Sequence, residues 1–226
     1  VCYFMFFCRK LDLGKSISLI CSLIFLTIPA VSVSSFLLST DIVLLFFWIF
    51  SLIFLLEIEK NPKTINYLLL GIMLGLAFLA KYAAIYFFIC LFVAVFFNPS
   101  FRAVLYSYKY KFIFFLIVLF FVILPNLVWN FNNNWLTLEH TSDNINLANF
   151  KPSAFRGFSF ILIQILMIGP VLFFGFLINI RKIRFDSQDI FLLSFSLPIM
   201  FIVFIESVMV RANANWAALS LVCLFV

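Results

Sequence analysis

Ile65–Phe97 reads INYLLLGIMLGLAFLAKYAAIYFFICLFVAVFF, and the fold turns on whether this stretch is one long helix or two. A single charge, Lys81, interrupts it. A helix of about 14 residues rises only ~21 Å, against a hydrocarbon core of ~30 Å, so each half on its own makes a short span. The flanking loops decide between the alternatives. Glu57–Thr64 holds Lys60 and Lys63, and Asn98–Lys111 holds Arg102, Lys109 and Lys111. Basic loops stay on the cytoplasmic side of a membrane. The two loops therefore share a side, an even number of crossings separates them, and the stretch is two helices that turn at Lys81.

Composition extends this reading to the whole chain. Of 226 residues, 66% are hydrophobic, 11% are charged and 35 are Phe, where a soluble domain carries roughly 25% charged residues. Lipid is the solvent, and isolated segments satisfy their backbone in lipid as helices. The expected fold is an all-α polytopic transmembrane bundle, one domain over residues 1–226. The predicted spans are Ile17–Leu38, Ile42–Leu56, Ile65–Ala80, Tyr82–Phe97, Phe112–Trp129, Phe158–Ile180, Ile190–Ser207 and Trp216–Val226, about eight in all, after the tail of an earlier helix at Val1–Phe7. A long loop, 130–157, joins two of them. Val1 and Val226 both lie inside apolar runs, so the sequence is expected to be truncated at both ends.

The charge of +6 is divided among short clusters and forms no continuous basic stripe, which argues against a nucleic-acid partner. On one side of the membrane fall Arg9, Lys10, Lys15, Lys60, Lys63, Arg102, Lys109, Lys111, Arg181, Lys182 and Arg184. On the other fall Lys81, Lys151, Arg156 and Arg211. The richer side is predicted to be cytoplasmic. That places Asp41, Lys81, the 130–157 loop and Arg211–Trp216 on the outer side, where any chemistry is expected. The five cysteines lie in or beside apolar runs without metal-like spacing, and the chain holds one His, so no metal site and no cofactor is expected.

Each polar cluster on the outer side has two readings. Asp41 precedes an apolar span, where Ser39, Thr40 or Asp41 can cap a helix; it is equally a carboxylate at the surface for an acceptor or a sugar hydroxyl. Lys81 is a snorkelling anchor or an ammonium for the phosphate of a lipid-linked substrate. Gly71 and Gly75 form Gly-x-x-x-Gly, a helix-packing pattern. The 130–157 loop, WNFNNNWLTLEHTSDNINLANFKPSAFRG from Trp129, is an aromatic belt or a carbohydrate surface, and Glu139-His140 is its carboxylate–imidazole pair. Ala148–Gly157 is a candidate short interfacial segment. Arg211-Ala-Asn213-Ala-Asn215-Trp216 is a polar loop or a phosphate clamp, and Glu206 is placed to pair with Arg211.

Several of these pieces together resemble one family. Ser39-Thr40-Asp41 leading to Phe46-Phe47-Trp48, Gly75-Leu-Ala-Phe-Leu-Ala-Lys81-Tyr82, Pro125-Asn-Leu-Val-Trp-Asn130, the Trp135 to His140 segment and Asn215-Trp216 are similar to the dolichyl-phosphate-mannose–protein mannosyltransferase superfamily. The similarity is to its bacterial branch of aminoarabinose transferases and "glycosyltransferase family 39" membrane proteins. The resemblance implies a GT-C fold of about a dozen helices with its active site on the outer face. It implies that a carboxylate activates the acceptor while sugar leaves a polyprenyl phosphate or diphosphate. Lys81, followed by Tyr82, matches the family's lysine near the lipid phosphate, and Asp41 its second acidic position. The leading acidic motif of the family has no counterpart here, so the general base is expected in a missing N-terminal region and these residues alone are expected to be inactive.

The expected function is thus an inner-membrane, multi-pass glycosyltransferase. Asp41 is the catalytic candidate, and Lys81, Tyr82, Glu139, His140, Arg211, Asn213 and Asn215 are the substrate-binding candidates. Its partners would be a lipid-linked sugar donor and a lipid, glycan or protein acceptor. The rivals are a flippase of lipid-linked sugar and a non-catalytic membrane subunit.

Overall fold

The computed structural model describes residues 1–37, 39–145, 151–182, 185–210, 212–224 and 226. Among them the chain is helical, without a strand. In order the helices are α1 (Cys2–Lys10), α2 (Lys15–Thr27), α3 (Pro29–Phe36), α4 (Thr40–Lys60), α5 (Thr64–Ala80), α6 (Tyr86–Phe97), α7 (Pro99–Ser107) and α8 (Phe112–Asn132). There follow α9 (Leu136–Ile145), α10 (Ala154–Ile168), α11 (Pro170–Asn179), α12 (Ser187–Ser194), α13 (Leu197–Met209) and α14 (Leu221–Leu224). This is the all-α membrane bundle that the composition demands. By length and composition three helices can cross a membrane, Thr40–Lys60, Lys109–Asn132 and Ser187–Met209, or up to six when each bent pair counts as one span.

The central element is α4. It is apolar all round, as a helix surrounded by others must be, and it buries Leu44, Leu45, Trp48, Ile49, Leu52 and Leu55. Trp48 meets Phe87 of α6 at 5.4 Å and Phe195 at 6.3 Å, edge to face. The turn at Asn61–Lys63 sends α5 back along α4. The glycines then do what their spacing predicts. A Cβ on Gly71 would sit 2.7 Å from the Phe115 carbonyl oxygen, and one on Gly75 would sit 2.6 Å from Val122. Gly71 faces Phe115 and Gly75 faces Val122, so α5 and α8 advance in the same direction, backbone close against backbone.

Proline and glycine break helices where hydropathy alone draws continuous spans. The span expected over Ile17–Leu38 is two helices bent by 65° at Ile28–Pro29, since proline lacks the N–H and pushes the residue before it out of the helix; Leu38 lies outside the described residues. The span expected over Phe158–Ile180 bends by 102° at Gly169–Pro170, where Gly169 has φ +93°. These two breaks lie side by side: a Cβ on Gly169 would be 3.7 Å from the Pro29 ring. Ile190–Ser207 is interrupted at Phe195–Ser196, and Trp216–Val226 is largely a 3₁₀ turn over Ala214–Ser220 before α14.

The 130–157 loop is a second departure, because most of it is helix. α8 runs on to Asn132, the chain reverses through Asn134 and Trp135 with positive φ (53° and 59°), and α9 follows. Of the interfacial segment expected at 148–157, residues 148–150 lie outside the described residues and Ala154 already opens α10.

Polar side chains gather at the two ends of the bundle. At one end Lys10 pairs with Glu57, Lys60 with Asp12 at 2.7 Å, and Lys111 donates to the Pro62 carbonyl at 2.6 Å. Asn98 donates to Ser187 at this end. At the other end α4 and α6 begin and α5 stops, and there lie Asp41, Lys81 and Asn215.

Candidate functional site

Lys81 owes its position to a backbone break. α5 ends at Ala80, and Lys81 itself is extended (φ −164°, ψ 135°), its N–H still closing the helix on the Ala77 carbonyl. A 3₁₀ turn over Tyr82–Ile85 restarts the chain as α6. The predicted turn at this lysine is therefore present, and it throws the side chain across to α4.

There Lys81 Nζ lies 2.5 Å from Asp41 Oδ1, and Asn215 Nδ2 donates to Asp41 Oδ2 at 2.7 Å. Both carboxylate oxygens are thus engaged by side chains. No side chain caps α4, and the Ser39 hydroxyl is buried without a partner among the described residues. Asp41 still sits in the first helical turn, where the helix dipole favours an anion. Its side chain is 10% exposed and that of Lys81 26%, so the pair is largely withdrawn from solvent.

On its other flank Lys81 lines a cavity of about 410 Å³, together with Tyr82, Asn126, Trp129, Thr137 and His140. The Tyr82 hydroxyl donates to Asn126 Oδ1 at 2.8 Å, meets Thr137 Oγ1 at 2.8 Å and accepts from Asn130 Nδ2 at 3.2 Å. Thr137 also donates to the buried Asn130 side chain. This network fastens α9 to the end of α8 and to the turn after Lys81, and so builds one wall of the cavity. Such a lining, amide and hydroxyl groups set in a larger aromatic and aliphatic surface, suits an amphiphile with a polar head.

The structure brings Asp41, Lys81 and Asn215 into contact and places Tyr82 and His140 around the adjoining cavity. Glu139 is exposed and is not part of that lining. Asn213 stands exposed at the start of the 3₁₀ turn, where its carbonyl accepts from Trp216 N. Arg211 lies outside the described residues. Glu206, expected to pair with Arg211, lies 3.4 Å from the Tyr86 hydroxyl. Asn126, Asn130 and Thr137 are site residues that the individual readings above did not single out as chemical groups. Two asparagines at i and i+4 inside the apolar run of α8 mark one polar face, and that spacing is the signal that finds them.

The family model described as "Dolichyl-phosphate-mannose-protein mannosyltransferase" matches residues 1–129. The chain belongs to that family. The matched region of this mannosyltransferase-family chain takes in Asp41, Lys81, Tyr82 and Asn126, while His140 and Asn215 lie beyond it. The chain is also 30% identical over 196 residues to a lipid A galacturonosyltransferase, RgtD, of Rhizobium johnstonii, covering 85% of this chain and 41% of the relative. It thus spans about two-fifths of the length of the curated relative it matches. No solved structure matches it.

Proposed function

We propose that this chain is part of a membrane glycosyltransferase that moves a sugar from a polyprenyl-phosphate donor to an envelope lipid, glycan or protein on the outer face of the bacterial inner membrane. The observation that carries the reading is the placement of Lys81, held at 2.5 Å from Asp41 and at the edge of the adjoining cavity. Family membership and the galacturonosyltransferase relative support it. A hexuronosyl group is accordingly the first sugar to test.

In the proposed reaction an acceptor oxygen bonds to the anomeric carbon as the bond from that carbon to the phosphate oxygen breaks. The electron pair leaves with the phosphate, whose growing charge Lys81 stabilises. The acceptor proton passes to a carboxylate. As Lys81 turns to the phosphate, one oxygen of Asp41 is released for a sugar or acceptor hydroxyl, while Asn215 keeps the other in place. Tyr82, Asn126 and Thr137 face the sugar hydroxyls from the cavity wall.

The test is sugar release from a radiolabelled polyprenyl-phosphate donor by full-length protein in lipid, wild type beside Lys81→Ala. Release by the wild type that falls about 100-fold or more in the variant supports the reading; full release by the variant overturns the role of Lys81.

The paired breaks at Pro29 and Gly169–Pro170 favour a second reading, a transporter of lipid-linked sugar built on discontinuous helices. Neither break carries a charged residue, and the first reading therefore ranks ahead.

A further inference from the structure

The end of the bundle opposite Asp41 carries an arrangement that the transfer reaction does not use. α7 is bent by 107° from the preceding Tyr82–Phe97 segment and so lies across the base of the bundle. It is fixed there: Asn98 Oδ1 accepts from Phe101 N at 3.1 Å, and the buried Phe101 ring packs on Phe191 at 6.3 Å. A 3₁₀ turn then delivers Lys111, whose ammonium reaches the carbonyl of Pro62, the peptide group that joins Pro62 to Lys63. The Lys111 ammonium also lies over the rings of Tyr108 at 4.7 Å and Tyr110 at 5.9 Å.

Charge at this end is unbalanced. Lys10 and Lys60 are answered by Glu57 and Asp12, but among the described residues Lys63, Arg102, Lys109 and Lys111 have no carboxylate within ion-pair distance. Tyr106 and Tyr110 are 69% and 56% exposed on the same segment, as tyrosines at a membrane interface are. In the same corner the buried hydroxyl of Tyr67 has no hydrogen-bond partner among the described residues, and its ring meets that of Phe112, the residue after Lys111, edge to face at 6.3 Å.

We propose that Lys63 and Lys111, framed by Tyr108 and Tyr110 and joined by Lys109 on the same 3₁₀ turn, form a headgroup site for an anionic phospholipid of the leaflet at this end. A bilayer supplies the matching chemistry: a phosphate at the depth of the lysines, a second negative charge or hydroxyls toward Lys109, and acyl chains along the exposed apolar face of α8 at Ile113 and Phe114. The site is independent of the reaction proposed at Lys81.

The experiment titrates the full-length purified protein in detergent with phosphatidylglycerol or phosphatidylcholine and counts retained lipid by native mass spectrometry. Wild type is expected to prefer phosphatidylglycerol by roughly tenfold, and Lys63→Gln/Lys111→Gln to reduce that preference to within about twofold. Lys60→Gln, which alters a lysine already paired with Asp12, is expected to keep it. Should the double variant fail to fold, the exposed Lys63→Gln alone carries the test. An unchanged preference in the Lys63 variants overturns the site. Displacement of the lipid by millimolar inorganic phosphate overturns the assignment to a phospholipid.

Discussion

Asp41 and Lys81 stand 40 residues apart in the chain and meet at 2.5 Å, one in the first turn of α4 and the other at the residue where α5 stops. The contact closes the α4–α5 hairpin at the end opposite its turn. A paired charge at this depth is kept by its partner, and removing either side leaves the other stranded.

The first prediction is a coupling between the two. Because Lys81 is 26% exposed, the cost of losing one partner falls below the ~3–5 kcal/mol of a fully buried pair, to roughly 1–3 kcal/mol. Asp41→Asn and Lys81→Ala are each expected to lower the unfolding midpoint in detergent, and the double variant to lower it by clearly less than the sum. Additive losses would show that the two side chains do not depend on each other.

Tyr82→Phe is expected to loosen α9 without disturbing α4. The lost hydroxyl leaves Asn126, Asn130 and Thr137 short of a partner, at about 1–3 kcal/mol. Hydrogen exchange should quicken in 136–145 while 44–56 stays protected. Equal protection of 136–145 in the variant would contradict the fastening role.

Glycine substitutions should separate packing from propensity. Gly71→Ala sets a methyl against the Phe115 carbonyl and is expected to destabilise by about 1–3 kcal/mol. Gly175→Ala meets nothing within 4 Å and is expected to be neutral or stabilising by up to ~1 kcal/mol. Thermal midpoints of the two variants measure this; the reverse order would refute the close α5–α8 approach.

Orientation has its own test. In a background with the native cysteines replaced by alanine, Asn134→Cys and Glu139→Cys should react with a membrane-impermeant thiol reagent added outside, and Ser100→Cys should not. Labelling in the opposite sense would invert the membrane topology.

The sequence made the bundle and its turning point at Lys81 legible because hydropathy and isolated charges are local signals. It hid the bends. Ile17–Leu38 and Phe158–Ile180 carry no charged residue, so length suggested a single span, while Pro29 and Gly169–Pro170 redirect the chain. Proline occurs both at such breaks and, like Pro125, inside a continuing helix, so its outcome depends on what packs around it. The helix in the 130–157 segment was hidden by its polarity, which reads as a loop when the partners of Asn130 and Thr137 are unknown. At the site, Asp41, Lys81 and Asn215 were each legible as polar residues in apolar surroundings, but their contact was not, since it depends on where three separate elements end.

α5 is 17 residues long, about 25 Å as a helix, beside an α4 of 21 residues, about 31 Å. A bilayer whose apolar slab is ~30 Å thick matches α4 and is too thick for α5. Lipid that meets α5 must pinch inward or admit water at one end of the helix, at a fraction of a kcal/mol per ångström. Where that thinning falls at the Lys81 end, headgroups are drawn below their usual level, toward the ammonium. In that case the mismatch of one short helix dimples the membrane at this spot, and the polar end of a lipid comes within reach of the protein while its tail stays in oil.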